Sequence, residues 1–406
     1  MFDVKKIRED YPMFANHPDL VYFDNGATTF KPKPVINAVM DFYNSGTSNV
    51  HRGDYPLSVH ADQLYDGARV KIAKFINCDP KEVAFTAGTT ASMNQIAYGM
   101  EHVFLKPGDV ILTTRTEHAS NLLPWYRLEK NCGIKVEYIP ADSQGRVHIE
   151  DAENAMHDKV KAIVIACVNN VLGAVQPIKE LAKLAHEHGA YIVVDGAQSV
   201  PHRKTDVKDL DIDFLAFSGH KMCGPGGTGV LYGKYELLER MDPISLGGGM
   251  NARFDSCGDV ILKSAPEKYE AGTPNIEGVI GLGAAAEYLM SIGMDNIHER
   301  EKQLRGYFAE KVKQLDNIEF YNPDNDTGPV AFNAKGVFAQ DAAGYLASQG
   351  IAVRSGNHCA KILHEIIGTD QTIRASLYLY NTEEEVDRCV KAMSEITLES
   401  AIGIFF

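Results

Sequence analysis

The sequence contains no apolar run long enough to cross a bilayer, and its first residues, Met-Phe-Asp-Val-Lys-Lys, are too polar for a signal peptide. Cysteine is sparse: the 7 cysteines are scattered over 406 residues, and no two of them form a Cys-x-x-Cys pair. Neither a disulfide framework nor a zinc knuckle is therefore expected. We predict a cytoplasmic protein with no membrane association and no bound metal.

Basic residues are in deficit. Lys and Arg number 40 against 54 Asp and Glu, which gives a net charge of -14, and no basic patch compensates for it. A nucleic-acid partner is therefore not expected, because binding of this kind relies on neutralising phosphates. The composition, 45% hydrophobic and 23% charged, is typical of an ordinary globular protein.

Short apolar segments alternate with helical patterns between about residues 80 and 235. Strands are predicted at 83–85, 109–112, 135–139, 162–166, 191–194 and 214–217. Most are continuously apolar, as expected for strands buried on both faces, so we predict an α/β fold with a mostly parallel sheet. The polar stretch 247–268 is expected to be an exposed loop, and a helical pattern from about 275 to 315 is interrupted near Gly293.

The length of the chain favours a large domain accompanied by a smaller one. We expect an N-terminal segment at 1–20 that packs with the small domain. The large domain is then predicted at 21–285, and the small C-terminal domain, which mixes helices and strands, at 286–406.

Two predicted strand ends carry groups of complementary chemistry. The strand at 191–194 runs into Asp195, and the strand at 214–217 runs into Ser-Gly-His-Lys, which ends at Lys221. Ligands of open α/β sheets bind at the carboxyl ends of strands, so these groups share a site if the strands are neighbours. A lysine amine can form a Schiff base, and a carboxylate can keep a pyridine nitrogen protonated. The alternative, a helix-capping aspartate and a solvated lysine, stays open on spacing alone.

Three further segments have both a functional and an ordinary interpretation. The stretch 88–94 follows a strand and opens a helix, which suits a phosphate or merely a threonine cap. His118, on a strand-end loop, either covers a cofactor ring or has no special role. Cys359 is a reactive thiol or an inert small side chain, and Arg374 on a strand can clamp a carboxylate with two hydrogen bonds.

In their order and spacing, these motifs resemble the class V aminotransferase-fold enzymes, which use pyridoxal 5'-phosphate (PLP), and among them the cysteine desulfurases of the SufS/CsdA type. The resemblance runs nearly end to end. It rests on Tyr-Phe-Asp-Asn-Gly-Ala-Thr-Thr at 22–29, Asn-Val-His-Arg-Gly at 49–53, Gly-Thr-Thr at 88–90, Glu-His at 117–118, Asn-Val-Leu-Gly at 170–173, Asp-Gly-Ala-Gln at 195–198, Ser-Gly-His-Lys at 218–221, Glu-Ala-Gly-Thr-Pro-Asn at 270–275 and Arg-Ala-Ser at 374–376. It implies the PLP-dependent fold type I, with a large PLP-binding domain and a smaller α+β C-terminal domain.

The resemblance implies catalytic roles for Lys221, Cys359 and His118. Lys221 would hold PLP as a Schiff base and move protons, His118 would stack on the ring, and Cys359 would take sulfur from the substrate. The residues implied to hold PLP are Thr89, Thr90, His118, Asp195, Gln198, Ser218, His220, Lys221, Gly272 and Thr273. Among them Asp195 would pair with the pyridine nitrogen and Gln198 with the phenolic oxygen. Asn170 and Arg374, with Arg354 in the same pocket, would orient the substrate carboxylate.

The implied reaction converts L-cysteine to L-alanine and leaves a persulfide on Cys359. Gly272 and Thr273 would reach the phosphate of a neighbouring subunit, which implies a homodimer with shared active sites. A sulfur-acceptor protein of the SufE or SufU kind and iron–sulfur cluster assembly are implied in turn. The alternatives are a selenocysteine lyase, another class V PLP lyase or aminotransferase, and a PLP-binding scaffold or sulfur-relay partner with little catalysis of its own.

The sequence departs from the usual pattern of these enzymes at four positions that are not assigned to PLP. Asn357 and Ala119 stand where a histidine is common, Ala91 stands where an acidic residue is common, and Ile362 lies where a proline usually follows the cysteine.

Overall fold

The computed structural model describes residues 2–403, so the outermost residues of the predicted segments 1–20 and 286–406 lie outside the described residues. The α-helices are α1 Val4–Glu9, α2 Pro12–Asn16, α3 Lys33–Asp41, α4 Pro56–Ile76, α5 Thr89–Val103, α6 Ala119–Cys132, α7 Ile149–Ala155, α8 Ile178–Glu187, α9 Tyr235–Arg240, α10 Ile276–Ile292, α11 Met294–Val312, α12 Ala339–Ser348, α13 Lys361–Ile366, α14 Glu383–Ser394 and α15 Leu398–Ile402. The strands are β1 Val21–Tyr22, β2 Val83–Thr86, β3 Val110–Thr114, β4 Lys135–Ile139, β5 Val160–Ala166, β6 Tyr191–Asp195, β7 Phe214–Ser218, β8 Gly229–Gly233, β9 Asn251–Phe254, β10 Val260–Leu262, β11 Ile318–Phe320, β12 Val330–Ala334, β13 Ile351–Ala352, β14 Arg354–Gly356 and β15 Thr372–Ala375.

A seven-stranded sheet forms the large layer, in the order β2-β8-β7-β6-β5-β3-β4. The strands from β7 to β4 run parallel, whereas β8 is antiparallel to both of its neighbours. The predicted α/β fold with a mostly parallel sheet is therefore confirmed, and each predicted strand lies in this sheet. The sequence reading missed β8, because its glycines at both ends look like a turn.

Burial explains why these segments form strands and helices. All five residues of β7 are buried, which matches the continuously apolar sequence of its first four residues, Phe214 to Phe217. Helix α8 instead buries one face, formed by Ile178, Leu181, Ala182, Leu184 and Ala185. This spacing of three and four residues puts the apolar side chains against the sheet and the charged ones in solvent.

A second, antiparallel sheet has the order β11-β12-β15-β14. Strand β1 lies beside this layer, because Val21 pairs in parallel with Ile351 of β13. Val21 and Phe23 belong to the same apolar core as Phe308 and Ile351. In the order of the sequence, a strand beside the smaller layer therefore precedes all strands of the large sheet. The predicted domain boundaries stay a prediction.

Of two further segments, one differs from its prediction and the other, the helical pattern interrupted near Gly293, is as predicted. The stretch 247–268, predicted to be a loop, contains an antiparallel hairpin of β9 and β10. Its side chains face outward, with Phe254 70% exposed, so no pattern of burial marks the strands. The helical pattern from 275 to 315 forms two helices that meet at Gly293, where φ is 92°.

None of the helices within residues 2–403 is by itself long and apolar enough to cross a membrane. The pair α10 and α11 reaches the required length and composition only together, and the two helices meet at a bend of 74°.

Candidate active site

A cavity of about 310 Å³ lies at the carboxyl ends of β6 and β7. The two strands are hydrogen-bonded neighbours, so the condition under which Asp195 and Lys221 share a site is met. The cavity lining brings together most of the predicted site residues, namely Thr89, Thr90, His118, Asn170, Asp195, Gln198, Ser218, His220, Lys221, Arg354, Cys359 and Arg374.

Gly272 and Thr273 do not line this cavity. Both are exposed, and the N–H of Gly272 donates to the carbonyl oxygen of Gly248 at 2.8 Å. The Gly272 carbonyl lies 3.4 Å from a guanidinium nitrogen of Arg52. Within one chain the two residues therefore belong to the surface, and their reach into a neighbouring subunit stays a prediction.

The ionisation of Lys221 and Asp195 is linked. Burial lowers the pKa of Lys221 to about 8, and the negative charge of Asp195 limits this decrease. Burial also raises the pKa of Asp195, while the N–H of Ala197, 2.9 Å from Oδ1, and the charge of Lys221 oppose that change. At neutral pH the Lys221 amine is thus more often neutral, and a better nucleophile, than an ordinary lysine.

His118 caps the N-terminus of α6 with its own ring. Its Nδ1 accepts a hydrogen bond from the N–H of Ser120 at 3.1 Å, so the neutral ring carries its proton on Nε2. Burial, together with the positive charges of Lys221 and Arg374, lowers the pKa of His118 to about 4. The ring is therefore neutral at pH 7 and has a fixed orientation.

The orientation of this loop depends on Glu117, to which the sequence reading assigned no role. Its buried carboxylate accepts hydrogen bonds at 2.8 Å from the Thr114 hydroxyl, the Asn121 amide and the N–H of Ala166. Burial raises the pKa of Glu117 to about 7, and these bonds oppose the increase. Glu117 thus connects β3, β5 and the first turn of α6, and His118 lies immediately before this helix.

An anion cradle is formed where α5 begins. The N–H of Thr89 donates to the Ser218 hydroxyl at 2.8 Å, and the two hydroxyl groups lie 2.7 Å apart. The first N–H groups of a helix have no intrahelical acceptor, which makes this end suitable for a phosphate. Strand β8 approaches so closely that a Cβ on Gly229 would lie 2.4 Å from the Cα of Gly88.

Two arginines face each other across β14 and β15, where Arg354 and Arg374 are register partners. Arg374 is buried, and one of its terminal nitrogens donates to the carbonyl oxygen of Asn170 at 3.0 Å. Both arginines contact the carboxylate of Asp24. The Nε of Arg374 has no hydrogen-bond partner among residues 2–403, so a donor is left for a ligand. Burial lowers the pKa of Arg374 to about 10, and it stays charged.

Cys359 is exposed and lies on a turn in an uncommon conformation. His358 and Cys359 have φ values of 50° and 56°, in the left-handed region that side chains other than glycine rarely adopt. The large layer holds this turn by its carbonyl oxygens. The side-chain amide of Asn170 donates to the carbonyl oxygen of His358 at 2.8 Å, and the N–H of Ala119 donates to the carbonyl oxygen of Cys359 at 2.7 Å.

The residues of the cavity fit PLP. The α5 cradle suits a phosphate, Asp195 suits a protonated ring nitrogen, and the amine of Lys221 suits an aldehyde. Unpartnered buried polar atoms, Nε of Arg374 and Oδ1 of Asn170, indicate that a ligand completes the site. No group of three or more His, Cys, Asp or Glu side chains in the described part of the chain is arranged to hold a metal ion.

The sequence is similar to those of known proteins. Residues 21–389 match the aminotransferase class-V family. A probable cysteine desulfurase of Halalkalibacterium halodurans is 44% identical over 394 residues, which cover 97% of each chain. A cysteine desulfurase of Haloferax volcanii is 43% identical over 410 residues, with 96% of each chain covered.

Solved structures of cysteine desulfurases are also similar to this chain. The cysteine desulfurase of Thermococcus onnurineus superimposes with a TM-score of 0.92 at 40% identity, covering 96% of this chain and 97% of that one. The cysteine desulfurase CsdA of Escherichia coli gives 0.91 at 35% identity, covering 100% and 99%. The chain therefore belongs to the aminotransferase class-V family. Within that family, the relatives and structures named here are cysteine desulfurases.

Proposed function

We propose that this protein is a PLP-dependent cysteine desulfurase that converts L-cysteine to L-alanine and keeps the sulfur on Cys359. The observation that carries this proposal is the presence of an exposed thiol, Cys359, in the same cavity as the buried amine of Lys221. The high similarity to cysteine desulfurases over nearly the whole chain supports it.

The transfer of sulfur balances without an external oxidant. The Cys359 thiolate attacks the substrate sulfur, so an S–S bond forms while the bond between that sulfur and the substrate Cβ breaks. The electron pair of the broken bond stays with the substrate and later takes up a proton, which gives alanine. The substrate carbon is reduced and the sulfur is oxidised, and Cys359 ends as a persulfide.

When bound, PLP supplies an electron sink that stabilises negative charge on the substrate. Asp195 would keep the ring nitrogen protonated, Gln198 would donate to the phenolic oxygen, and the neutral His118 ring would pack against the cofactor ring. Thr89, Thr90, Ser218 and His220, which line the cavity, would hold the phosphate. Lys221 would hold the cofactor, and its amine, whose pKa burial lowers to about 8, would act as the base that moves protons.

The substrate carboxylate binds the free donor of Arg374. Arg354 adds a second positive charge at the mouth of the cavity, where its side chain is 49% exposed. Asn170 lies beside them and orients the same carboxylate. Selenocysteine has the same carboxylate and amine, so turnover of the two amino acids must be compared directly to separate a desulfurase from a selenocysteine lyase.

A homodimer with shared active sites is the second part of the proposal. Gly272 and Thr273 are exposed, and exposed apolar side chains such as Leu246 and Phe254, each 70% exposed, suit burial in a subunit interface. A persulfide on Cys359 needs an acceptor, for which a protein of the SufE or SufU kind and iron–sulfur cluster assembly are the predicted route. The cytoplasmic location predicted from the sequence stays a prediction.

The test uses the holoenzyme with L-cysteine and a thiol, and alanine and sulfide are measured. Cys359→Ala is expected to abolish the persulfide found by mass spectrometry and the release of sulfide. Cys257→Ala is the matched control, because Cys257 is also an exposed thiol but lies on the β9–β10 hairpin. Full sulfur release by the Cys359 variant would exclude the proposed mechanism.

A further inference from the structure

A buried chain of hydrogen bonds runs beneath the Cys359 turn. Nε2 of His358 lies 3.0 Å from both the carbonyl oxygen and the hydroxyl of Thr372. The same hydroxyl lies 3.2 Å from Nε2 of His364, whose Nδ1 lies 3.1 Å from the carbonyl oxygen of Ala360. Thr372 is fully buried, and His364 and His358 are 2% and 8% exposed.

The carbonyl oxygens of Thr372 and Ala360, at the two ends of this hydrogen-bond network, determine which ring nitrogen of each histidine carries the proton. A carbonyl oxygen only accepts, so His358 carries its proton on Nε2 and His364 carries its proton on Nδ1. Burial lowers the pKa of His358 to about 3 and also lowers the pKa of His364, so both rings are neutral. Nε2 of His364 is then an acceptor, and the Thr372 hydroxyl donates to it.

This hydrogen-bond network holds the turn on both sides of Cys359. His358 precedes Cys359 and is anchored through its ring, while Ala360 follows it and is anchored through its carbonyl oxygen. Helix α13 begins at Lys361 and brings His364 back toward Ala360, four residues earlier. Two consecutive non-glycine residues with positive φ persist only where the surroundings hold them.

We propose that Thr372 and His364 are positioning residues that hold the Cys359 turn in its left-handed conformation and so aim the thiol into the cavity. The hydroxyl of Thr372 is the centre of this arrangement, because it joins the two rings. This inference rests on the proposed function for its chemical meaning, since it concerns the step in which Cys359 accepts sulfur.

The test compares Thr372→Val, which removes the hydroxyl at nearly constant volume, with Thr372→Ser, which keeps it. The first-turnover formation of persulfide on Cys359 is measured in the holoenzyme, together with the KM for L-cysteine and the cofactor absorbance. Thr372→Val should slow persulfide formation roughly tenfold or more, the effect of losing a buried hydrogen bond. The KM and the absorbance should stay unchanged, and Thr372→Ser should restore the rate.

A second readout does not depend on catalysis. Hydrogen exchange of the peptide that contains residues 354–366 should be faster in Thr372→Val than in Thr372→Ser. His364→Phe keeps a ring but removes both nitrogens, and it should reproduce both effects if Thr372→Val does not fold.

The outcomes separate this inference from the proposed function. Wild-type persulfide formation and exchange in Thr372→Val and His364→Phe would overturn the positioning role and leave the desulfurase assignment intact. A slower rate in Thr372→Ser equal to that of Thr372→Val would also overturn it, because the hydroxyl would then be irrelevant. Failure of the proposed function is detected separately, by sulfur release from the Cys359→Ala enzyme.

Discussion

Asp24 forms a two-pronged ion pair with Arg354, whose Nε and terminal nitrogen donate to its carboxylate at 3.1 and 3.0 Å. A terminal nitrogen of Arg374 lies 3.5 Å from the same carboxylate. Like charges directly opposite on neighbouring strands destabilise a sheet, and these two arginines are such a pair. Asp24 therefore offsets their repulsion and orients both guanidinium groups before substrate arrives.

Replacing Asp24 by Asn should raise the KM for L-cysteine by roughly tenfold or more, since a charge-assisted hydrogen bond is worth about 1.5–3 kcal/mol. Steady-state kinetics check this, and the cofactor absorbance should not change. Asp24→Glu should recover part of the affinity, and Asp316→Asn, at an exposed carboxylate, serves as a control. An unchanged KM in Asp24→Asn would show that the arginines are oriented without it.

Arg374→Ala should weaken substrate binding by about 2–5 kcal/mol, the usual cost of truncating one partner of a buried charge pair. Arg374 is buried and supplies the donor left free in the cavity. The KM for L-cysteine measures the effect. Arg374→Lys should recover little, because an ammonium group cannot reproduce the planar donor pattern of a guanidinium.

The covalent attachment of PLP to the apoprotein should accelerate with pH, with a midpoint near 8. Lys221 reacts only as the neutral amine, which is about one tenth of the population at pH 7 and about half at pH 8. Stopped-flow measurement of the visible absorbance at several pH values checks the midpoint.

A matched variant tests the cause of this midpoint. The charge of Asp195 raises the pKa of Lys221 against the effect of burial, so Asp195→Asn should move the midpoint below 8. A midpoint near that of an ordinary lysine in the unaltered protein would contradict the role of burial.

Glu270→Gln should lower the free energy of unfolding by about 3–5 kcal/mol, because it leaves Arg69 as an uncompensated buried charge. Arg69 and Glu270 are 8% and 7% exposed and form two hydrogen bonds of 2.7 and 2.8 Å. Urea unfolding of the holoenzyme measures the change. Glu287→Gln is the control, since Glu287 pairs with Lys71 on the surface, where such a bond is worth about 0–1 kcal/mol.

Most of the large sheet is predictable because six of its seven strands carry their own signal, whereas β8 does not. In β7, for example, all residues are buried and Phe214 to Phe217 are apolar, so local sequence suffices. The hairpin of β9 and β10 carries no such signal, since most of its side chains are exposed, including the apolar side chains of Val260 and Ile261. A pattern of buried and exposed positions therefore does not indicate these two strands.

The candidate site shows a similar division. The chemistry of Lys221, Asp195 and Cys359 is visible in short motifs, and the cavity unites them. The partnership of Asp24 with Arg354 joins residues 330 positions apart, so no local pattern reveals it. His364 was missed for another reason, because a helix brings it back to Ala360 after the motif has ended.

The parallel pairing of β1 with β13 sets the order in which the protein is completed during its synthesis. Val21 and Ile351 are separated by the same 330 positions as Asp24 and Arg354, which takes a ribosome roughly 15–65 s at about 5–20 residues per second. Every strand of the large sheet emerges within that interval, between Val83 and Gly233. When β13 emerges, every strand of the large sheet has therefore already been synthesised while β1 is still unpaired, and the cavity, whose lining includes Arg374, is completed later still.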